Sequence, residues 1–447
     1  MSNYKTKEAI LTRGREAIGI PLKLIDKTGR INTGKGAVGT LLEESWFGIK
    51  PNNKNEPDFP EAGVELKATP YEYTKKGIRA KERLVCNIID YEAEYINATF
   101  LLSSFWKKCN TILLMSYEHK KDVSKGEFTV NEVILFQFPA QDLEIIKQDW
   151  EIIMQKIKDG KAHEISEGDT LYLGACTKGA TSASVRKQPN SEMLAKQRAY
   201  SLKQSYMTYI LQQYVFSNAL DEHIIKDPLL LRHTGFEDYI RNKIHPFIGQ
   251  TQAELLNNFN ITSRAKNMNE LILASILGVS GKLSNVAEFR KANIIFKTIR
   301  IKRNGTIEQN MSFPTFKFTE IICEEWEEST LKNYLAPAKF LFVIFQENDN
   351  GELVLDRLKL WNIPVEDLAE VQRVWARTVQ TIIDGIILTR RGGRTYNNLP
   401  KQSQSAIAHV RPHGQNSLDT YPLPDGRAMT KQCFWFNSSY VKSIINN

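Results

Sequence analysis

Cysteine is scarce in this chain, and the few present cannot form a frame. Cys86, Cys109, Cys176, Cys323 and Cys433 lie far apart among 447 residues. They match neither a zinc-ligand spacing nor a disulfide-dense scaffold, so a reducing, cytoplasmic setting is the expectation. No run of roughly 20 apolar residues occurs, and no membrane span is expected. The opening stretch MSNYKTKEAILTRGREAIG lacks the apolar centre of a secretion signal. Acidic residues are the minority charge: 51 Asp and Glu against 59 Lys and Arg leave a net charge of +8. That balance favours a polyanionic partner without proving one. At 42% hydrophobic and 25% charged residues the chain reads as folded, not disordered. Its length exceeds what one core serves, so more than one domain is expected.

The chain echoes itself. DLEIIKQDWEIIMQKIKDG begins at Asp142 and DLAEVQRVWARTVQTIIDG at Asp367, an offset of 225 residues. Both have helical apolar spacing and a closing glycine suited to a C-cap. Lys203-Gln204-x-Tyr206 resembles Lys431-Gln432-x-Phe434 at an offset of 228, and VELKATP (Val64–Pro70) resembles IIFKTIR (Ile294–Arg300) at 230. KGAVGTLLEESWFG (Lys35–Gly48) is more weakly similar to KNMNELILASILG (Lys266–Gly278). The shared order implies a tandem duplication, with domains at 1–220 and 221–447 and a boundary near residues 216–230.

In the first half, Lys5–Ile18 and GAVGTLLEESWF read as helices. AGVELKATP, KERLVCNIIDY, NTILLMSYE and FTVNEVILFQFP read as strands. The class is α/β, a mixed sheet flanked by helices. Within PDFPEAGVELKATP, Glu65 and Lys67 sit at i and i+2 and share a strand face. Asp58, seven residues upstream, precedes a turn that can fold its carboxylate back beside Glu65. Two carboxylates suit Mg²⁺, which takes one or two protein carboxylates plus water and phosphate oxygens. A neighbouring lysine can position water and offset phosphoryl charge. On pattern alone, a solvated strand face with an incidental ion pair explains these residues better. Context shifts the balance: Glu43 offers a third carboxylate from the glycine-rich helix, and Lys108, or adjacent Lys107, precedes an apolar strand.

For base reading, CTKGATSASVRKQ carries Lys178, Arg186 and Lys187 in a polar loop. KQRAYSLKQSY adds Lys196, Arg198 and Lys203 with Tyr200 and Tyr206 interleaved. Such residues either donate to base edges or contact phosphates only.

KGAVGTLLE, PDFPEAGVELKATP and a lysine ahead of an apolar strand resemble the MutH nicking endonucleases of mismatch repair. They resemble more closely the GATC-cutting type II restriction endonucleases of the MutH/Sau family. That likeness continues through KERLVCNIIDYE, IIKQDWEII, GKAHEISEG, CTKGA, KQRAYSLK, MSFPTFKF, HVRPH and MTKQCFWFN, over nearly the whole chain. The resemblance implies tandem restriction-endonuclease-like domains and Mg²⁺-dependent hydrolysis of double-stranded DNA at GATC. It casts Asp58 and Glu65 as metal ligands, Lys67 as the catalytic lysine, Glu43 as the helix-borne glutamate and Lys108 as the accessory lysine. It also places Lys178 at base edges and Lys203 in a second DNA-facing loop.

In the second half Ala274 stands for Glu43 and Ile295 for Glu65, while Lys297 persists with Glu288 upstream. A silent, DNA-binding or allosteric domain is expected, with Arg411 echoing Lys178 and Lys431 in the echo of the Lys203 loop. His409 and His413 make no convincing zinc pair, because Pro412 argues against a helix between them. The expected particle is a monomer in solution whose copies can pair on DNA. The competing readings are a repair nicking endonuclease and a DNA-binding regulator without chemistry. The duplication speaks against the first and the Asp58, Glu65, Lys67 set against the second.

Overall fold

The structure, a computed structural model, describes residues 4–31, 34, 36–50, 55–75, 77–97, 99–179, 183–217, 222–262, 267–307, 309–392 and 394–446. Lys35 and Lys266, parts of the loop after Lys178, and residues 218–221 at the expected boundary lie outside that range. Among the described residues no helix is long and apolar enough to cross a membrane, and all five cysteines are free thiols. The chain divides into two compact units. One comprises Met1–Ile240 with Gly278–Ile294, the other Arg241–Leu277 with Ile295–Asn447.

The first unit opens with the helix Lys7–Arg15, capped by the Thr6 side chain. A short helix, Ala37–Leu41, then runs into the π-helical turn Leu42–Trp46. The strands follow as β1 (Glu65–Thr74), β2 (Gly77–Ala80), β3 (Leu84–Ile88), β4 (Thr111–Glu118), β5 (Val130–Gln137), β6 (Leu173–Thr177), β7 (Val185–Gln188), β8 (Ser191–Lys196) and β9 (Arg198–Leu202). The main sheet has the order β2-β1-β4-β5, with β1 and β4 parallel and the outer pairings antiparallel. A second sheet, β3-β9-β6, is antiparallel, and β7-β8 form a hairpin. Ile10, Leu41, Leu42, Phe59, Val64, Leu66, Leu113, Met115 and Val133 share one buried core. This core joins the helices to the inner face of β1 and fixes the strand that carries Glu65.

The second unit carries β10 (Ile294–Ile301), β11 (Met311–Phe316), β12 (Lys339–Glu347), β13 (Leu353–Trp361), β14 (Thr389–Arg391), β15 (Arg394–Tyr396), β16 (Ala408–Pro412), β17 (Thr420–Pro422), β18 (Ala428–Thr430) and β19 (Gln432–Phe436). Its sheets are ordered β10-β12-β13 and β11-β19-β16. The first order repeats β1-β4-β5 and the second repeats β3-β9-β6. Helix Val365–Ile383 repeats Ala140–Lys158, each of 19 residues. The duplication read from sequence is therefore a duplication of topology.

One echo falls out of register. Gln204 opens the helix Gln204–Ile210, whereas Gln432 opens the strand β19. Aligning β9 with β19 gives an offset of 234 residues, so Lys203, which precedes the first helix, corresponds to Asn437, which precedes Ser438–Asn446. A three-residue likeness had outweighed the strand pattern beneath it.

Residues 278–294, which separate the two stretches of the second unit, belong to the first. They contain the helix Ala287–Ala292, and Lys291 anchors it. Its ammonium lies 2.6 Å from Asp142 Oδ1, both side chains are almost fully buried, and the cation sits 4.3 Å from the Tyr209 ring centre. Tyr206 donates to Asp142 Oδ2 at 3.0 Å and stacks on Tyr172. Breaking one side of a buried pair strands the other charge. Lys291→Ala is expected to lower unfolding stability by about 3–5 kcal/mol. The double substitution Lys291→Met with Asp142→Asn should recover much of that, as read by urea denaturation. A loss below about 1 kcal/mol in the single variant would show that the anchor does not hold the segment.

Candidate active site

The stretch from Asp58 to Lys67 folds as a tight reversal. Phe59 and Val64 form an antiparallel bridge, with Phe59 N–H donating to the Val64 carbonyl at 2.9 Å. Gly63 takes φ +65° in the turn, a conformation in which a side chain would be strained. Phe59 packs edge-on against Phe47 and Tyr4, which holds the turn against the core. The reversal sets Asp58 against the start of β1. Asp58 N–H donates to Glu65 Oε2 at 3.1 Å, and Asp58 Oδ2 accepts from Leu66 N–H at 3.0 Å.

Glu65 is 1% exposed. Its Oε1 lies 2.8 Å from Lys67 Nζ and 3.5 Å from Lys108 Nζ. Lys67 also donates to the Cys86 carbonyl of β3 at 3.3 Å. That carbonyl is a backbone partner, and no sequence motif could announce it. Lys108 is buried on the helix Ser104–Cys109, while Lys107 is exposed. Of the two lysines, Lys108 is the one brought to Glu65. Glu44 turns away from the site and pairs with Arg30.

Crowding of carboxylates in a dry site shows in their protonation. Burial, opposed by Lys67 and reinforced by Asp58, pushes Glu65 up to about 7. Burial and the neighbouring Asp58 push Glu43 to about 7 as well, and Lys67, Glu65 and Lys108 all act on it. For Lys67 burial works against the charge, but the Glu65 carboxylate wins and raises the ammonium above its ordinary value. Among the described residues no cluster of three or more His, Cys, Asp or Glu side chains is placed to cage a metal. The oxygen donors are instead a pair, Asp58 and Glu65, with Glu43, Lys67 and Lys108 as the charged groups around it. That fits a hard divalent cation which completes its shell with water and phosphate oxygens.

The residues expected to face DNA divide. Lys178 is exposed just beyond β6, its N–H bonded to the Gln197 carbonyl. Arg186 is half-buried, donating to Gln197 Oε1 and lying 3.9 Å from Asp90. Arg198, Lys203 and Tyr206 point inward, contrary to expectation. Arg198 is 5% exposed and donates to the Ala175 carbonyl at 2.7 Å. Lys203, equally buried, donates to the Thr170 carbonyl, and Tyr206 is the buried partner of Asp142. Each satisfies a polar group inside the unit and has no surface for a base. In the second unit Arg411 is exposed on β16, stacked on Trp435 at 4.9 Å. Lys431 is held by Asp419 and lies over Tyr421. The structural counterpart of Lys178 is His413, not Arg411, since His413 N–H bonds the Lys431 carbonyl as Lys178 N–H bonds that of Gln197.

The second unit preserves the lysine of the site without its carboxylates. Lys297 on β10 donates to the Ser312 carbonyl of β11 at 3.3 Å, as Lys67 does to Cys86. Its protonation moves the opposite way: burial lowers it, and no carboxylate offsets the cost. Glu288, expected upstream as a counterpart of Asp58, lies on the Ala287–Ala292 helix. Its carboxylate accepts from Ile224 and Ile225 N–H and contacts His223.

Comparison with known proteins identifies relatives of this chain. The family model for the DNA mismatch repair enzyme MutH matches residues 47–149, a span that contains Asp58, Glu65, Lys67 and Lys108. The type II restriction enzyme Sau3AI of Staphylococcus aureus is 38% identical across 100% of both chains. The DNA mismatch repair protein MutH of Shewanella woodyi is 29% identical, covering 47% of this chain and 92% of its own. MutH of Vibrio cholerae is 25% identical over 47% of this chain and 96% of its own. MutH proteins are thus matched almost whole by half of this chain, and the restriction enzyme by all of it. The chain belongs to the MutH-like type II restriction endonucleases.

Proposed function

We propose that this restriction endonuclease cuts unmodified double-stranded DNA at GATC in the cytoplasm, using Mg²⁺ in the first unit, while the second unit binds DNA without chemistry. The observation that carries the reading is the buried Glu65 carboxylate, flanked by Asp58 and contacted by two lysines. Asp58 and Glu65 would hold the cation, which supplies a polarised phosphodiester and an activated water when bound. Lys67, kept charged by Glu65, orients the scissile phosphate and offsets its developing charge. Lys108 adds a second positive group from the helix side, and Glu43 tunes the charge of the set. Lys178, exposed just beyond β6, would reach a base edge. The GATC assignment is supported by the motifs shared with GATC-cutting relatives, and the silence of the second unit by Ala274 and Ile295. One active centre faces two strands, so two monomeric chains pairing on DNA would complete a double-strand break.

Purified protein incubated with plasmid and Mg²⁺ should yield linear fragments ending at GATC. Nicked circles alone would favour a repair-type nickase, and uncut but retarded DNA a regulator. Glu65→Ala should abolish cleavage while retaining DNA binding, and surviving cleavage would overturn the site. Lys297→Ala should leave the single-turnover rate within about twofold of the parent, because no carboxylate accompanies it. A large fall with binding unchanged would give the second unit a chemical role.

The pH dependence follows from the raised carboxyls. Glu43 and Glu65 hold protons up to about 7 in the metal-free site, and only the ionised forms bind a cation. Mg²⁺ affinity should therefore rise as pH increases through about 7 and level off above it. Calorimetry in buffers of different ionisation heat should detect proton release below that point. Affinity independent of pH would remove the carboxylates from the binding step.

A further inference from the structure

We propose that the β14–β15 ribbon, Thr389–Tyr396, is a phosphate-gripping contact of the second unit with duplex DNA, one that the first unit does not possess. The inference rests on the reading that the second unit binds DNA, and it names the element that does so.

The ribbon is an addition to the repeated plan. In the first unit the long helix ends at Lys158 and β6 starts at Leu173; in the second the helix ends at Ile383 and β16 starts at Ala408. The extra length holds the ribbon, with Thr389, Arg390 and Arg391 paired to Tyr396, Thr395 and Arg394. Gly392 has φ +54°, which suits a tight hairpin turn.

Its roots are fixed while its strands are open to solvent. Ile386 and Leu399 are buried in the core of the second unit. Ile387 N–H donates to Asn398 Oδ1 at 3.0 Å, and Arg427 donates to the Ile386 carbonyl at 2.6 Å. Beyond these ties Thr389, Arg390 and Arg391 are exposed, and Tyr396 is half exposed. A rigidly based ribbon loses little entropy on binding.

Its charge is one-sided. From Gly385 to Leu418 the chain has no Asp or Glu, yet carries Arg390, Arg391, Arg394, Lys401 and Arg411. Arg390 and Arg391 are adjacent and exposed, so their mutual repulsion gives the fold nothing, and a polyanion relieves it. The first unit has a matching acid-free stretch, Thr170–Ser191, around Lys178. A two-stranded ribbon also has the width of a major groove, whose rims are phosphates. Duplex DNA therefore fits better than an acidic protein, which would not require the groove-sized shape.

The test uses the full chain with Glu65→Ala to prevent cutting, and short duplexes with or without GATC. Binding is followed by anisotropy between 50 and 200 mM salt, and stoichiometry by titration. The Glu65→Ala parent should bind two duplexes per chain. Adding Arg390→Ala and Arg391→Ala should reduce the slope of log affinity against log salt by about 2, and weaken one of the two duplexes about tenfold or more, with either sequence. Lysine at both positions should restore the slope, since phosphate contacts need charge and not a planar fork. Two duplexes bound with an unchanged slope would overturn the ribbon and leave the second unit as a DNA binder. A parent that binds a single duplex would overturn the ribbon together with the reading it rests on.

Discussion

A carboxylate withdrawn from water beside two ammonium groups organises the first half. Glu65 is almost wholly buried, yet it accepts from Asp58 N–H and contacts Lys67 and Lys108. Burying an ion is costly unless partners compensate, so each neighbour must be held in place. The Phe59–Val64 reversal fixes Asp58, the parallel pairing of β1 with β4 fixes the strand, and the Ser104–Cys109 helix delivers Lys108. The cluster is not a stability device. Its carboxyls are pushed towards neutrality by burial and by one another, and such perturbed groups gather at functional sites.

The second half displays the same scaffold after that demand is lifted. Lys297 keeps its bond to a strand carbonyl, but with isoleucine in place of the glutamate its charge is a liability. The sheet orders persist because they rest on apolar alternation, which does not depend on the catalytic residues. The longer connection of the second unit falls in a loop, where backbone additions disturb the core least.

What the sequence made legible follows the range over which each signal acts. The Asp58, Glu65 and Lys67 set lies within one turn and one strand, so its spacing is visible in the sequence, but only the surrounding motifs raise a metal site above an incidental ion pair. The choice between Lys107 and Lys108 needed helix phase, which only packing supplies. Arg198, Lys203 and Tyr206 misled because a basic and aromatic composition is the same on a surface as in a buried polar network. Their partners, the Ala175 and Thr170 carbonyls and Asp142, are distant in sequence. The echo through Lys431 failed for a related reason: a short identity carries less information than the alternation of the strand in which it lies. The segment 278–294 was invisible, since nothing local tells a helix which unit it will join.

That segment changes how the two halves can be taken apart. The chain leaves the second unit at residue 277, serves the first, and returns at residue 295. No single scission yields both halves intact. A fragment ending near residue 240 would keep Asp58, Glu65, Lys67 and Lys108 but lose Lys291, leaving Asp142 as an uncompensated buried charge. A stretch of chain lying between two parts of the second unit has thus become part of the first.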